Sequence, residues 1–109
     1  MTEQPNIKAL DEIHGSLQKV LEKEGYYSAV KSAKKALKMM PYDFRIQLFM
    51  ADALYKWGED LEKKNDLTSK EKFQQAYDLY FDIFQKNPNF AQFNNVSSKK
   101  RLCIKKLYG

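Results

Sequence analysis

Residues 44–63 read FRIQLFMADALYKWGEDLEK, follow Pro41 closely and contain no proline. For about three turns this stretch is apolar around most of its circumference, through Phe44, Ile46, Leu48, Phe49, Met50, Ala51, Ala53 and Leu54. A helix of that kind is buried by partners on more than one side. It is therefore expected to be the central helix of a small all-α domain. Asp43 stands where an N-cap would start it. Met50, Leu54, Trp57 and Leu61 carry a stripe past Gly58, so the helix is expected to continue through the glycine. Gly58 then marks a close-packing point rather than a stop.

On the N-terminal side, Leu10, Ile13, Leu17, Val20 and Leu21 recur at helical spacing. They predict helix 1 from about Pro5 to Lys23, with Gly25 as its stop. Helix 2 is expected from Tyr26 to Met39, burying Tyr26, Ala29, Val30, Ala33, Ala36 and Leu37. On the C-terminal side, Asn65–Ser69 reads as a turn, and Thr68 with Glu71 has capping-box spacing. Helix 4 then runs to Lys86, with Phe73, Ala76, Tyr77, Tyr80, Ile83 and Phe84 on one face. Asn87 and Pro88 end it. A fifth and last helix is expected over about 89–107. Phe90, Phe93, Val96, Cys103 and Leu107 would share one of its faces, interrupted by Lys100.

The chain has 109 residues, enough for a single domain with one modest core. No apolar run approaches the ~20 residues of a membrane span, and the N-terminus lacks the pattern of a secretory signal. One cysteine, Cys103, allows no internal disulfide. A cytoplasmic, reducing location is the simplest expectation. The net charge of +5 comes from the C-terminal segment, where Lys99, Lys100, Arg101, Lys105 and Lys106 occur with no acid. The rest of the chain is neutral.

Little in the sequence suggests catalysis. The single histidine, His14, has no partner at a telling spacing and reads as a surface or groove residue. There is no Gly-rich phosphate loop, no H-x-x-x-H pair and no cysteine cluster. Cys103 fits a small buried hydrophobe better than a nucleophile, although Arg101 and Lys105 would lower its pKa if it were exposed. An enzyme is not expected, nor a catalytic residue, a metal site or a cofactor.

Helices 2 and 4 align without a gap. Tyr26 pairs with Phe73, Ala29 with Ala76, Val30 with Tyr77, Leu37 with Phe84 and Pro41 with Pro88, each pair 47 residues apart. An aromatic, an alanine three residues on and a closing proline form a helix-pair signature that resembles the tetratricopeptide repeat, whose usual period is ~34. Residues 26–41, YYSAVKSAKKALKMMP, resemble the second helix of that repeat. Met50, Ala51, Ala53, Leu54 and Gly58 resemble its first. The resemblance implies one domain over 1–109. Repeat 1 would span about 7–41 and repeat 2 about 44–88, with an insertion between 58 and 73. A capping helix would follow over about 89–107. Helix 1 departs from the pattern at Ser16 and Leu17.

In such repeats the first helix of each pair lines the inner face of a curved surface. The resemblance therefore implies a shallow groove drawn from helix 1, the central helix and helix 5. Its positions on the central helix would be Arg45, Leu48, Phe49, Asp52, Tyr55 and Lys56. One reading is a non-enzymatic adaptor that holds a peptide or helical segment of another protein there. The opposing reading is that helices 1 and 5 cover these positions, as in a structural or dimerising piece of a larger assembly. A third draws on layout alone: a lengthened second repeat followed by one helix is similar to plant-type mitochondrial import receptors, which bind presequences, and to mitochondrial fission adaptors. Some members of the repeat family grip a C-terminal carboxylate. Asp52 stands where such a clamp needs Asn, so no carboxylate clamp is expected. The basic tail reads as a solvating cap helix, as a contact for an acidic protein surface or anionic membrane, or as a contact for nucleic-acid phosphates. No recognition-helix or RNA-binding motif supports the last.

Overall fold

The computed structural model describes residues 7–109, with side chains from Asp11 onward. The expected helix start at Pro5 and the stripe position Leu10 lie outside the described backbone and side chains, respectively. Six helices follow one another: α1 (Ile7–Glu24), α2 (Tyr26–Met39), α3 (Phe44–Lys63), α4 (Ser69–Lys86), α5 (Pro88–Phe93) and α6 (Val96–Tyr108), with no strand among the described residues. The all-α expectation holds, with six helices in place of about five.

Each boundary has a local cause. Gly25 alone links α1 to α2, at φ 92°, a left-handed conformation that only glycine adopts cheaply. Asp43 caps α3: its Oδ1 accepts from the backbone N–H of Arg45 (3.0 Å) and of Ile46 (3.1 Å). The helix runs through Gly58 without a break. Before α4, the capping-box expectation is corrected. The Thr68 side chain makes no cap bond and its backbone is already helical, at φ −70° and ψ −5°, whereas an N-cap needs an extended residue. Asp66 takes the Thr68 backbone N–H (2.9 Å) and hydroxyl (2.7 Å) instead. Those bonds hold the Asp66 carboxyl below its ordinary range.

The largest departure is in the last expected helix. It breaks at Asn94–Asn95, with Asn95 left-handed at φ 56°, a conformation that Asn tolerates better than most residues. Asn94 Nδ2 donates back to the Phe90 carbonyl at 3.0 Å and closes α5. The break rotates α5 against α6, so the expected common face does not exist. Val96 and Cys103 are fully buried, while Phe93 is 88% exposed.

The helices pack serially: α1 on α2, α2 on α3, α3 on α4, and α4 on both α5 and α6. Neighbours run antiparallel, as two contacts show for α3 and α4. Tyr80 meets Asp52 and, further along in opposite directions, Phe73 meets Tyr55. Helices one apart in this series run parallel. Asp11 and His14 of α1 meet Arg45 and Phe49 of α3. Asp52 and Glu62 of α3 meet Lys99 and Lys106 of α6. The result is an elongated body of 53 × 31 × 19 Å.

α3 lies in the middle of this stack and buries eight residues, among them Ile46, Met50 and Leu54. The alanines Ala29, Ala33 and Ala76 are fully buried, so the flanking helices come close where side chains are small. α2 and α4 also end alike. Met40 closes α2 at φ −135° and ψ 72°, donating to Ala36, and Asn87 closes α4 at φ −144° and ψ 76°, donating to Ile83.

Candidate functional site

Arg45, Leu48, Phe49, Asp52 and Lys56 stand at i, i+3, i+4, i+7 and i+11 and so form one stripe of α3. The stripe faces a groove of about 740 Å³ walled by His14, Gln18 and Leu21 of α1 and by Asn89, Phe90, Phe93 and Asn94 around α5. The same stripe continues into a cleft of about 230 Å³, where Asp52, Tyr55 and Lys56 meet Tyr80, Lys99 and Leu102. Five of the six expected α3 positions thus line the groove. The sixth, Tyr55, lies in the adjoining cleft.

The floor and the rim differ. Phe49 is 6% exposed, with its ring edge-on to His14 at 5.9 Å, so it belongs to the core as much as to the groove. Phe44 and Phe90, with ring centroids 6.1 Å apart, tie the start of α3 to α5. Phe93 stands almost free at the rim. Sequence reasoning put Phe93 on one helix face with Val96 and Cys103 and did not name Gln18, Leu21 or Asn94 as walls of the groove. The available signal was the Asn94–Asn95 pair, which marks a break in helical phase.

Arg45 is turned toward α1, where Nη1 meets Asp11 Oδ1 at 3.1 Å. Both side chains are exposed, so the pair contributes little to stability. Asp52 is held more firmly. It accepts from the Tyr80 hydroxyl at 2.5 Å, and Lys99 Nζ donates to both of its oxygens at 3.1 Å. Burial first, and the Asp52 charge second, push the Tyr80 phenol above its ordinary range. Burial, followed by the charge of Glu59, raises that of Tyr55. Lys56 is exposed and has no carboxylate partner among the described residues.

The basic tail is largely occupied by the protein itself. Lys99 holds Asp52. Lys106 meets Glu62 at 2.7 Å, and its charge is favoured by that hydrogen bond. Lys100 sits over the rings of Phe84 (4.3 Å) and Phe81 (5.6 Å). Arg101 and Lys105 point to solvent. Cys103 is fully buried, and burial pushes its thiol up to about 12, so it stays a thiol at neutral pH and Arg101 and Lys105 do not activate it.

No described helix is long and apolar enough to cross a membrane. Comparison with protein-family models, with curated proteins and with solved structures returned no match.

Proposed function

We propose that the chain is a non-enzymatic adaptor of tetratricopeptide-like build, which holds a short apolar or helical segment of a partner protein in the groove between α1, α3 and α5. The observation that carries this reading is the groove itself: an apolar floor, a nearly free phenylalanine at the rim and one stripe of α3 running its length. The repeat resemblance draws support from the matching ends of α2 and α4 and from the parallel course of α1, α3 and α6. With Asp52 neutralised by Lys99 and Lys56 unpaired, the groove suits a neutral or acidic segment better than a basic presequence. The carboxylate-clamp chemistry is disfavoured as well, because the Asp52 oxygens already serve Tyr80 and Lys99.

The test is affinity capture of the partner with the intact protein and with Phe93→Ala combined with Lys56→Ala. Both side chains are exposed, so the fold is kept, as circular dichroism would verify. Capture should fall at least tenfold, and undiminished capture removes the groove from the account. Phe49→Ala is unsuitable here, because it empties core volume along with the floor.

A second reading, a structural piece of a larger assembly, is favoured by Phe81, Leu102 and Ile104, which are 41–48% exposed on α4 and α6. Sedimentation separates the two readings. A monomer at micromolar concentration supports the adaptor, and a dimer that Leu102→Glu dissociates supports the assembly.

A further inference from the structure

The sequence places the surplus charge in the C-terminal tail, yet the structure spends most of that charge internally. The free positive face lies elsewhere. Between Gly25 and Tyr42 there are four lysines and no acid. Lys31, Lys34, Lys35 and Lys38 are all exposed, and their i, i+3, i+4, i+7 spacing sets them on the side of α2 opposite buried Ala29 and Ala33. Among the described residues none of the four lies within 4.0 Å of a carboxylate oxygen. Like charges at this spacing repel one another along a helix, so the face gains from an anionic partner.

Beside this face is a cleft of about 210 Å³ between α2, α3 and α4. Trp57 and Tyr27 meet edge-to-face at 6.1 Å in its corner. Lys31 and Lys34 stand on the α2 wall and Lys72 on the α4 wall. Lys72, like the others, has no carboxylate partner among the described residues. Small-molecule pockets hold ~300–1,000 Å³, so this one is sized for a single side chain. We propose that this cleft and the lysine face of α2 form a second docking surface, which takes an acidic segment of a partner protein: one apolar side chain enters the Trp57–Tyr27 corner and flanking carboxylates meet the lysines.

Two other anionic partners fit less well. Single-stranded nucleic acid stacks successive bases on open aromatic faces, but Lys72 Nζ lies 4.2 Å over the Trp57 ring, and Tyr27, packed against that ring at 82°, offers one exposed ring rather than a platform. A lipid surface holds on through several exposed apolar anchors, whereas here Trp57 is only partly exposed and Tyr27, 65% exposed, is the single open ring among the lysines. The surface does not depend on the groove, since Trp57 sits on a different face of α3 from Asp52 and Lys56.

Trp57 is the chain's only tryptophan, so its fluorescence reports on this cleft alone. The intact protein is titrated with the peptide EEELEEE, with KKKLKKK, with oligouridylate and with phosphatidylserine vesicles. A saturable change is expected with the acidic peptide and none with the basic one. Binding should weaken at least tenfold in Lys31→Glu with Lys34→Glu, and less than twofold in Lys105→Glu, with circular dichroism unchanged in both. Three results overturn the proposal: no saturable response to the acidic peptide at millimolar concentration, equal weakening by the tail variant, or tighter binding of oligouridylate or vesicles at equal anion concentration.

Discussion

Gly58 on α3 lies so close to Phe73 on α4 that a methyl group in place of its side-chain hydrogen would sit 2.7 Å from Phe73 Cε1. Phe73 is 1% exposed, so its ring has nowhere to go. The contact explains why α3 can carry a glycine within its length: the missing Cβ is where the neighbouring aromatic fits.

Gly58→Ala should therefore destabilise the protein. Alanine gains about 1 kcal/mol of helix propensity, but overpacking a filled core costs about 1–3 kcal/mol. A net loss of about 1 kcal/mol is expected. Gly15, also within a helix, has nothing within 4 Å of an added Cβ, so Gly15→Ala should gain about 1 kcal/mol. Urea unfolding of both variants tests the pair. Gains in both would mean that the α3–α4 contact is looser than described.

Tyr80 and Lys99 converge on Asp52 from two helices, and their contributions should differ. Tyr80 is 2% exposed and its hydroxyl donates to the partly exposed Asp52 carboxylate, so Tyr80→Phe should cost about 1.5 kcal/mol, the low end for a hydrogen bond to a charged group. Lys99 and Asp52 side chains are 32% and 36% exposed, so solvent screens their pairing and Lys99→Met should cost no more than about 1 kcal/mol. Because both partners share Asp52, the double variant should depart from additivity by at least about 0.5 kcal/mol. Strict additivity in a double-mutant cycle would show that the three groups do not act together.

Long helices were legible in the sequence where the apolar pattern and the end signals agree. α2 and α3 begin and end where the residues say, Asp43 caps as expected, and the buried stripe of α4 needs no revision. Of the six α3 positions singled out in the sequence, Arg45, Leu48, Phe49, Asp52 and Lys56 line one groove and Tyr55 lies in the adjoining cleft. What failed depended on single backbone conformations. Asn95 turns left-handed and shifts the phase of everything after it, which separates exposed Phe93 from buried Val96 and Cys103. Asp66 outcompetes Thr68 for the turn before α4 because its carboxylate reaches two donors at once. The destination of the tail lysines was also invisible, since Asp52 and Glu62 are more than forty residues away along the chain. Only the parallel course of α3 and α6 brings those charges together.

Alkaline pH should unfold the protein through groups that are neutral when buried. The Cys103 thiol is pushed from its ordinary 9.0 up to about 12, by burial first and the Asp52 charge second, and the Tyr80 phenol is raised as well. Both ionise more readily in the unfolded chain. Their contribution is thus complete below about pH 9 and is lost as pH rises toward 12. Denaturation midpoints should fall steadily across that range, and less steeply in Cys103→Ala. The native thiol should also resist Ellman's reagent at pH 8, reacting only as fast as the protein opens. Prompt labelling of the native protein would contradict the burial of Cys103.

Lys100 looked like an interruption in an apolar stripe, and its surroundings reverse that reading. Its ammonium lies 4.3 Å from the Phe84 ring centroid and 5.6 Å from that of Phe81, and it is only partly exposed. A long side chain can cover apolar surface with its stem while keeping its charge at the edge, and a cation over aromatic faces at a partly exposed site is worth about 1 kcal/mol. Lys100→Gln should therefore cost about 1 kcal/mol, while Lys105→Gln, at an exposed position with no such rings beneath it, should stay within about 0.5 kcal/mol of the parent. Lys100→Arg should retain most of the stability, because guanidinium also stacks on aromatic faces. Equal effects of the two glutamine substitutions in urea denaturation would show that the rings add nothing. The hold on α6 would then come from buried Val96 and Cys103, from Lys99–Asp52 and Lys106–Glu62, and from the Lys70 ammonium that donates to the Leu107 carbonyl at 3.2 Å.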